Sequence, residues 1–347
     1  MSAAVSEPGA DEGHTVAEAP GAPSSAGRGR AALLLGGSAA LLALALLFGP
    51  SVTRSQLDGA LLERVVRDLH LPRALFGAVA GFGLALAGVV LQSVLRNPLA
   101  SPYTLGISSG AAVGAVIALQ VGGATGLLGL SAPAAGAFAG AALTAMLVFT
   151  LASLRSFAAE TLLLAGVAVS LFGGAVISML HYLADTIDLL AMVRWSLGGL
   201  EVVGYGKVAA AAACVALGSA ILLVGVGRQL DVASLDDDSA RGLGVDPARV
   251  RRTAFLGTSV ITAGIVAFAG PIGFVGLVVP HAVRYFTGPD PRLLLPCAAL
   301  TGGAFLIACD VVARTALYPT NLPINVVTYA IGCPAFVWIL VRRSEPS

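Results

Sequence analysis

Long apolar runs separated by short polar turns dominate this chain. The clearest pair covers residues 71–91 and 107–119, on either side of the polar segment 92–106. About twenty apolar residues suffice for one helix across a bilayer, and Asn97-Pro98 favours a helix end where the polar segment begins. The pattern therefore predicts two membrane-spanning helices joined by a sharp turn at a membrane surface.

The same pattern predicts about ten spans along the whole chain. They cover approximately residues 31–50, 71–92, 104–121, 131–153, 159–181, 204–227, 251–269, 272–287, 292–313 and 323–341. The eighth is interrupted by Gly270-Pro271 and by Pro280. A broken helix at membrane depth is tolerated only where protein or a cavity covers its freed backbone groups. We therefore expect such cover around this break.

Composition supports a polytopic membrane protein and excludes a soluble globule. Of 347 residues, 57% are hydrophobic and 11% are charged, and the mean hydropathy is +0.89. Soluble domains carry about a quarter charged residues. The net charge of +1 gives no indication of nucleic-acid binding, and the four cysteines lack metal-ligand spacing, so no metal site is predicted. The predicted fold class is all-α.

The arginines predict how the chain is oriented. Residues 1–30 are rich in Ala, Gly, Pro, Ser and acids, which predicts a disordered cytoplasmic tail before a transmembrane domain over 31–343. With the N-terminus inside, cytoplasmic segments hold thirteen of the 20 Lys and Arg residues, so both termini are predicted to be cytoplasmic. Spans 2–5 and 7–10 then run in opposite directions, as in an inverted repeat.

The largest predicted cytoplasmic segment covers residues 229–250. Asp236 to Ser239 supply caps for a short helix, and Gly244 ends it. The residues of this element are Ser239, Ala240, Arg241, Gly242, Leu243 and Gly244. From the residues alone, a docking element for a cytosolic partner and a solvated connector are equally open.

Charged residues at the ends of spans are candidates for function. Asp310 lies inside an apolar run, and Arg314 follows four residues later on the same helix face. This spacing favours a self-neutralising structural or docking pair over a proton relay. His70 and Arg73 begin the second span, where they either anchor it at the interface or offer a cation to an acidic partner or anionic substrate.

No nucleotide site is encoded in the chain. A phosphate-binding loop ends in Gly-Lys-Ser/Thr, whereas Gly206-Lys207 is followed by Val208. If ATP drives transport, the ATPase is therefore a separate polypeptide.

Five groups of residues occur in an order that points to one family. They are Leu71-Pro-Arg73, Arg96-Asn-Pro-Leu-Ala100 with Leu105-Gly106, Ser239-Ala-Arg-Gly-Leu-Gly-Val245, Ala269-Gly-Pro-Ile-Gly-Phe-Val-Gly-Leu-Val-Val-Pro-His-Ala-Val-Arg284, and Pro319-Thr-Asn-Leu-Pro323 with Gly332-Cys-Pro334. Together they resemble the FecCD-type permeases, which are membrane subunits of binding-protein-dependent ABC importers for iron–siderophores, haem and cobalamin. The likeness extends from about residue 60 to the C-terminus.

The resemblance implies a ten-span permease of the cell membrane that is not itself an enzyme and binds no cofactor. It implies a second permease subunit, identical or different, cytosolic ATPase subunits that use ATP and dock on Ser239 to Gly244, and an extracytoplasmic substrate-binding protein. Arg73 and Arg314, with His70 beside them, match the positions that dock that protein through bidentate Arg–carboxylate pairs. The expected cargo is an iron–siderophore complex, with haem or cobalamin as alternatives. An ion-coupled secondary transporter is the competing class.

A bulky chelate needs a small, apolar lining along its route between two permease subunits. The second, fifth and eighth spans are expected to contribute to this lining. The candidate residues are Gly77, Gly81, Gly173 and Gly174.

Three positions depart from the family pattern. The family often has a second arginine at the position of His70, so docking here is expected to be weaker or pH-sensitive. Its outer turn usually has Glu at the position of Asn321 and Gly at that of Asn325. Loss of the glutamate removes a negative charge beside the docking arginines, and it leaves open that this subunit pairs with a different permease.

Overall fold

The computed structural model describes residues 25–48, 63–121, 131–201, 204–227, 229–317 and 320–343, and in these ranges the regular structure is helical. A π-helical turn, Val66–His70, precedes the second helix. The helices are α1 Ser25–Phe48, α2 Leu71–Val94, α3 Ile107–Gln120, α4 Ala132–Ser153, α5 Ala159–Leu183, α6 Thr186–Ser196, α7 Tyr205–Gly225, α8 Leu230–Ala233, α9 Asp237–Gly242, α10 Pro247–Ala269, α11 Val275–Thr287, α12 Pro291–Thr315 and α13 Ile324–Arg343.

The predicted all-α, polytopic fold is confirmed. Each of the ten predicted spans coincides with one helix of 13 residues or more. Among the described residues, six helices are long and apolar enough to cross a membrane, the first of them continuous from Glu63 to Val94. Ten membrane crossings therefore stay a prediction, whereas the helical segments themselves are established.

Local sequence signals explain where several helices begin. Pro72 lies just after the π-helical turn Val66–His70, within the helix that is continuous from Glu63, so its missing N–H coincides with the change from π-helical to α-helical hydrogen bonding. Asp246 and Asp290 cap α10 and α12 by accepting bonds from the backbone N–H groups of Ala248 and Arg292. The long helices are thus bounded by the residue types that their termini require.

The first helix starts earlier than the apolar pattern predicts. The predicted tail over residues 1–30 lies outside the described residues except for 25–30, which belong to α1. Extending an existing helix adds one hydrogen bond for each residue fixed, so the helix continues beyond its apolar run.

Two four-helix units, α2–α5 and α10–α13, interlock. In each unit the second helix is short, and each short helix starts after a residue in the left-handed conformation, Gly106 or Phe274. Helix α2 packs against α11 and α12 of the other unit, while α10 packs against α3 and α4. This reciprocal packing is the pattern expected of two related units.

Glycines allow the closest of these crossings. A Cβ atom on Gly81 would collide with the carbonyl oxygen of Gly302 in α12, and one on Gly88 would collide with that of Gly276 in α11. Small residues at such crossings let helix backbones approach each other in lipid. Helix α2 consequently lies in the centre of the structure, and most of its residues are buried.

Candidate functional site

Two polar clusters lie at opposite ends of α2, which is about 36 Å long at 1.5 Å per residue. The Asp310 cluster consists of His70, Arg73, Asp310 and Arg314. Arg73 donates to Asp310 Oδ1 from Nε at 2.9 Å and from Nη2 at 2.7 Å, and Arg314 Nε lies 3.1 Å from Asp310 Oδ2. The predicted pairing of Asp310 with Arg314 is therefore present, and Arg73 joins it from another helix.

His70 extends the cluster. Arg314 Nη1 lies 3.1 Å from His70 Nδ1. Because a guanidinium can only donate, Nδ1 is the acceptor and His70 is neutral in this arrangement. Two guanidinium groups, one carboxylate and a neutral imidazole leave the Asp310 cluster with one net positive charge.

An open cavity of about 430 Å³ adjoins the Asp310 cluster. Arg73 and Asp310 line it together with Arg194, Glu201 and Asn321. Asn321 Nδ2 donates to Glu201 Oε1 at 3.2 Å. A carboxylate thus lies beside Asn321 even though that residue is not the expected glutamate, and it comes from the segment after α6.

The break between α10 and α11 is covered by protein, as expected. Asn325, which is buried, accepts from the backbone N–H of Gly273 at 2.9 Å and donates to the carbonyl oxygen of Pro271 at 2.9 Å. Gly199 also donates to the carbonyl oxygen of Ala269 at 2.8 Å. The asparagine that departs from the family pattern therefore satisfies the backbone that the break leaves free.

At the other end of α2, the predicted short helix is present as α9. Asp236 caps it by accepting from the backbone N–H groups of Asp238 and Ser239. Gly244 follows it with φ of 80°, a conformation that favours glycine. Ala240 is buried, whereas Leu243 is 63% exposed. The other predicted docking residues, Ser239, Arg241, Gly242 and Gly244, are exposed.

Asp237 connects α9 to the rest of the molecule. Its carboxylate accepts from Arg96 Nη2 at 2.6 Å, and from Arg251 Nη1 at 3.0 Å and Nη2 at 2.7 Å. Arg241 Nη2 also lies 3.9 Å from Asp237 Oδ2. We call Arg96, Asp237, Arg241 and Arg251 the Asp237 cluster. The hydrogen bond from Arg251 and the surrounding guanidinium charges lower the pKa of Asp237.

The four glycines predicted to line a pathway occupy different environments. A Cβ atom on Gly77 would meet Leu200 and Ile307, and one on Gly173 would lie 3.3 Å from Ser109 Cβ. Together with Gly81, these residues pack between helices, whereas a Cβ atom on Gly174 would have open space around it. Lining a pathway stays a prediction for all four.

Sequence reasoning missed the residues that tie these sites together. The sequence pattern predicts only a capping role for Asp237. It includes Arg96 as a cytoplasmic cation and as part of a family motif, and Arg251 as a cytoplasmic cation. It predicts no role for Glu201. The one available signal was the run of three aspartates, which exceeds what a single helix cap requires.

The structure is a helical bundle with an ionic cluster at each end of its central helix. Residues 32–342 match the model of the FecCD transport family, and the chain belongs to that family. It is therefore a permease subunit of an ABC importer rather than an enzyme, as the sequence resemblance implied. Its class has ATPase, binding-protein and permease partners.

Similar proteins agree with this assignment. The chain is 44% identical over 280 residues to the cobalamin import system permease protein BtuC of Halobacterium salinarum, covering 80% of this chain and 74% of that protein. It is 36% identical over 311 residues to the hemin transport system permease protein HmuU of Yersinia pestis, covering 89% and 92%. A metal-chelate type ABC transporter solved in an inward-facing conformation superposes with a TM-score of 0.80 at 32% identity, over 90% of this chain and 99% of that one.

Proposed function

We propose that this chain is the permease that carries a metal chelate into the cell across the cytoplasmic membrane, driven by separate ATPase subunits. The observation that carries the proposal is the position of α2 between two unlike polar clusters. The Asp310 cluster carries a net positive charge, and the Asp237 cluster anchors a short projecting helix. A transmembrane subunit with a different partner at each end needs such an arrangement.

The Asp310 cluster would face outward and receive the substrate-binding protein. Both termini then lie in the cytoplasm, in agreement with the excess of arginines on that side. The Arg73 and Arg314 side chains are 14% and 16% exposed, so an acidic side chain of the partner would reach only their edges. Attraction between opposite charges would guide that encounter and set its orientation.

Helix α9 would contact the ATPase. Arg241 and Leu243, which directly follows the helix, are exposed, and Leu235 just before the helix is 44% exposed. Exposed leucines at both ends of a short helix suit a protein interface better than a solvated connector. The positive φ of Gly244 prevents the helix from continuing, so α9 stays short and its exposed side chains form one small surface.

A corrinoid is the first cargo to test. Permeases named for cobalamin import, from Halobacterium salinarum at 44% identity and from Vibrio cholerae at 39%, support it. The ferric siderophore expected from the sequence resemblance is the second candidate, and haem is the third, supported by the hemin permease of Yersinia pestis.

The test is uptake of radiolabelled cobalamin, haem and ferric siderophores by cells that depend on this chain for import. Saturable uptake of cobalamin, competed by unlabelled corrinoid alone, is the expected result. Uptake of a siderophore instead would change the proposed cargo but leave the proposed permease function in place. Failure of all three chelates to enter would contradict the proposal.

A paired variant tests the ATPase contact. Arg241→Glu combined with Gly244→Pro should abolish uptake without affecting membrane insertion, because proline cannot adopt the positive φ at position 244. Gly206→Ala is the matched control, since Gly206 lies outside α9 and a Cβ atom there meets nothing within 4 Å. Unchanged uptake in the double variant would reject α9 as the coupling element and favour an ion-driven transporter.

A further inference from the structure

Asp237 lies where three segments of the chain meet. Its carboxylate accepts from Arg96, at the turn after α2, and from Arg251, near the start of α10. Asp238 is its neighbour and is chemically identical, but its side chain is 95% exposed and it pairs with Arg241 within the same helix. Of these two aspartates, Asp237 is the one that reaches beyond α9.

Arg96 is held firmly at its position. Its backbone adopts φ of 49°, which is uncommon for a residue with a side chain. Its guanidinium donates to the carbonyl oxygen of Leu235 at 2.9 Å as well as to Asp237. Two hydrogen bonds thus fasten the turn after α2 to the segment that begins α9, and help to offset the cost of this backbone conformation.

The turn after α2 leads from this surface into the centre of the protein. Ser101 and Pro102 are buried, and a Cβ atom on Gly276, in the first turn of α11, would lie 2.9 Å from Pro102 Cδ. Gln92 Nε2 also donates to the carbonyl oxygens of Gly276 and Leu277 at 3.2 and 3.3 Å. A displacement of Arg96 would therefore shift the residues at the start of α11.

Arg251 provides the second connection. It is 5% exposed, and its Nε donates to the carbonyl oxygen of Phe157 at 2.6 Å. Phe157 lies in the turn between α4 and α5, so Arg251 joins α10 to the other four-helix unit. Through Asp237, α9 is thus bound to both interlocking units.

We propose that Asp237 is the positioning residue that transmits movement of α9 to the turn after α2 and to α10. The inference rests on the proposed contact between α9 and the ATPase. Arg96 and Arg251 supply charge-assisted hydrogen bonds, which are stiffer than contacts of neutral side chains. Movement of α9 by the ATPase is then passed to both units, and from the turn to the broken region before α11.

The experiment uses the complete transporter, purified with its ATPase and reconstituted in liposomes with its binding protein. Asp237→Asn keeps the shape of the side chain and removes its charge, and Asp231→Asn, at an exposed aspartate outside α9, is the matched control. Three quantities are measured: ATPase retained on the permease, basal ATP hydrolysis, and cobalamin transported for each ATP hydrolysed.

Asp237→Asn should retain the ATPase and its basal hydrolysis, while cobalamin transported for each ATP falls about tenfold, within the range of allosteric coupling. Asp231→Asn should behave as the unaltered chain. Transport for each ATP that is unchanged in Asp237→Asn would overturn the inference. Loss of the bound ATPase in that variant would also overturn it, because Asp237 would then shape the docking surface instead.

Two further variants distinguish failure of the role proposed for Asp237 from failure of the proposed contact between α9 and the ATPase. If Asp237→Asn fails to insert, Arg96→Gln severs the connection to the turn while Arg251 still pairs with Asp237, and the same uncoupling is expected. Leu243→Asp tests the ATPase contact itself at an exposed residue. If Leu243→Asp retains the ATPase and full transport, the proposed role of α9 fails, whatever Asp237 does.

Discussion

Arg73 Nη2 and Asp310 Oδ1 lie 2.7 Å apart, although 237 residues separate them in the chain. The contact joins the beginning of α2 to the end of α12, which are packed along each other. Asp310 also pairs with Arg314, so one buried carboxylate holds two guanidinium groups. The two cations predicted to dock a partner are thereby fixed in position before the partner arrives.

Replacement of Asp310 should therefore harm both stability and transport. Asp310→Asn leaves two partly buried cations without their shared carboxylate, a change expected to cost about 1–3 kcal/mol. The measurement is thermal unfolding in detergent, followed by cobalamin uptake. Adding Arg314→Gln to Asp310→Asn should recover part of the stability, because it removes one of the opposed charges. A double variant less stable than the single one would contradict this account.

Depletion of ATP separates ATP-driven transport from ion-driven transport, because Asp310→Asn is expected to reduce uptake in both cases. An ion-coupled transporter predicts that Asp310→Asn abolishes uptake and that depletion of ATP has no effect on the unaltered chain. We expect the opposite for ATP, namely that uptake by the unaltered chain stops when the partner ATPase is inactive. Uptake that continues without ATP would contradict ATP-driven transport and favour the ion-coupled alternative.

The asparagine at position 325 should be needed for a stable break between α10 and α11. Asn325→Ala removes the partners of one buried N–H and one buried carbonyl group, and should lower the free energy of unfolding by about 2–3 kcal/mol. Asn321→Ala is the matched control, because Asn321 is exposed and donates only a 3.2 Å bond to Glu201 among the described contacts. Equal thermal stabilities for the two variants would contradict the structural role of Asn325.

Most of the fold could be predicted because membrane helices leave a strong local pattern. The boundaries differ where a local conformation intervenes. Helices α3 and α11 begin three residues later than predicted, after Gly106 and Phe274, whose positive φ angles interrupt the backbone hydrogen bonding. Helix α10 begins four residues earlier, because Asp246 caps it and Pro247 suits its first turn.

The ionic clusters were only partly predictable, because sequence spacing shows contacts within one helix alone. The Asp310–Arg314 pair follows from a separation of four residues. The addition of Arg73 depends on how α2 packs against α12, which no local pattern encodes. Three consecutive aspartates likewise look alike in the sequence, but Asp236 caps α9, Asp237 reaches Arg96 and Arg251, and Asp238 faces solvent.

The Asp237 cluster should make stability depend on pH. Its arginines lower the pKa of Asp237 in the folded state, from an unfolded value of about 3.9. The unfolded chain then binds the proton more readily, so the stabilisation is present above about pH 4 and is lost as pH falls through the lower folded pKa. Thermal unfolding between about pH 2 and 5 should show this loss, and Asp237→Asn should reduce it. An identical pH dependence in the variant would contradict the assignment.

Two of the glycines predicted to line a pathway, Gly81 and Gly174, should differ in how substitution by alanine affects stability. A Cβ atom on Gly81 would collide with backbone atoms of Gly302, and it would lie 2.8 Å from the Cα atom of Gly303. Backbone atoms cannot move aside cheaply, so Gly81→Ala should destabilise the protein by about 1–3 kcal/mol. Gly174→Ala has open space and should leave thermal stability unchanged. If Gly174 lines the route of the chelate, Gly174→Leu should reduce uptake while the protein unfolds at its normal temperature. Normal uptake with Leu at position 174 would remove that residue from the route, and normal stability of Gly81→Ala would contradict the tight crossing of α2 and α12.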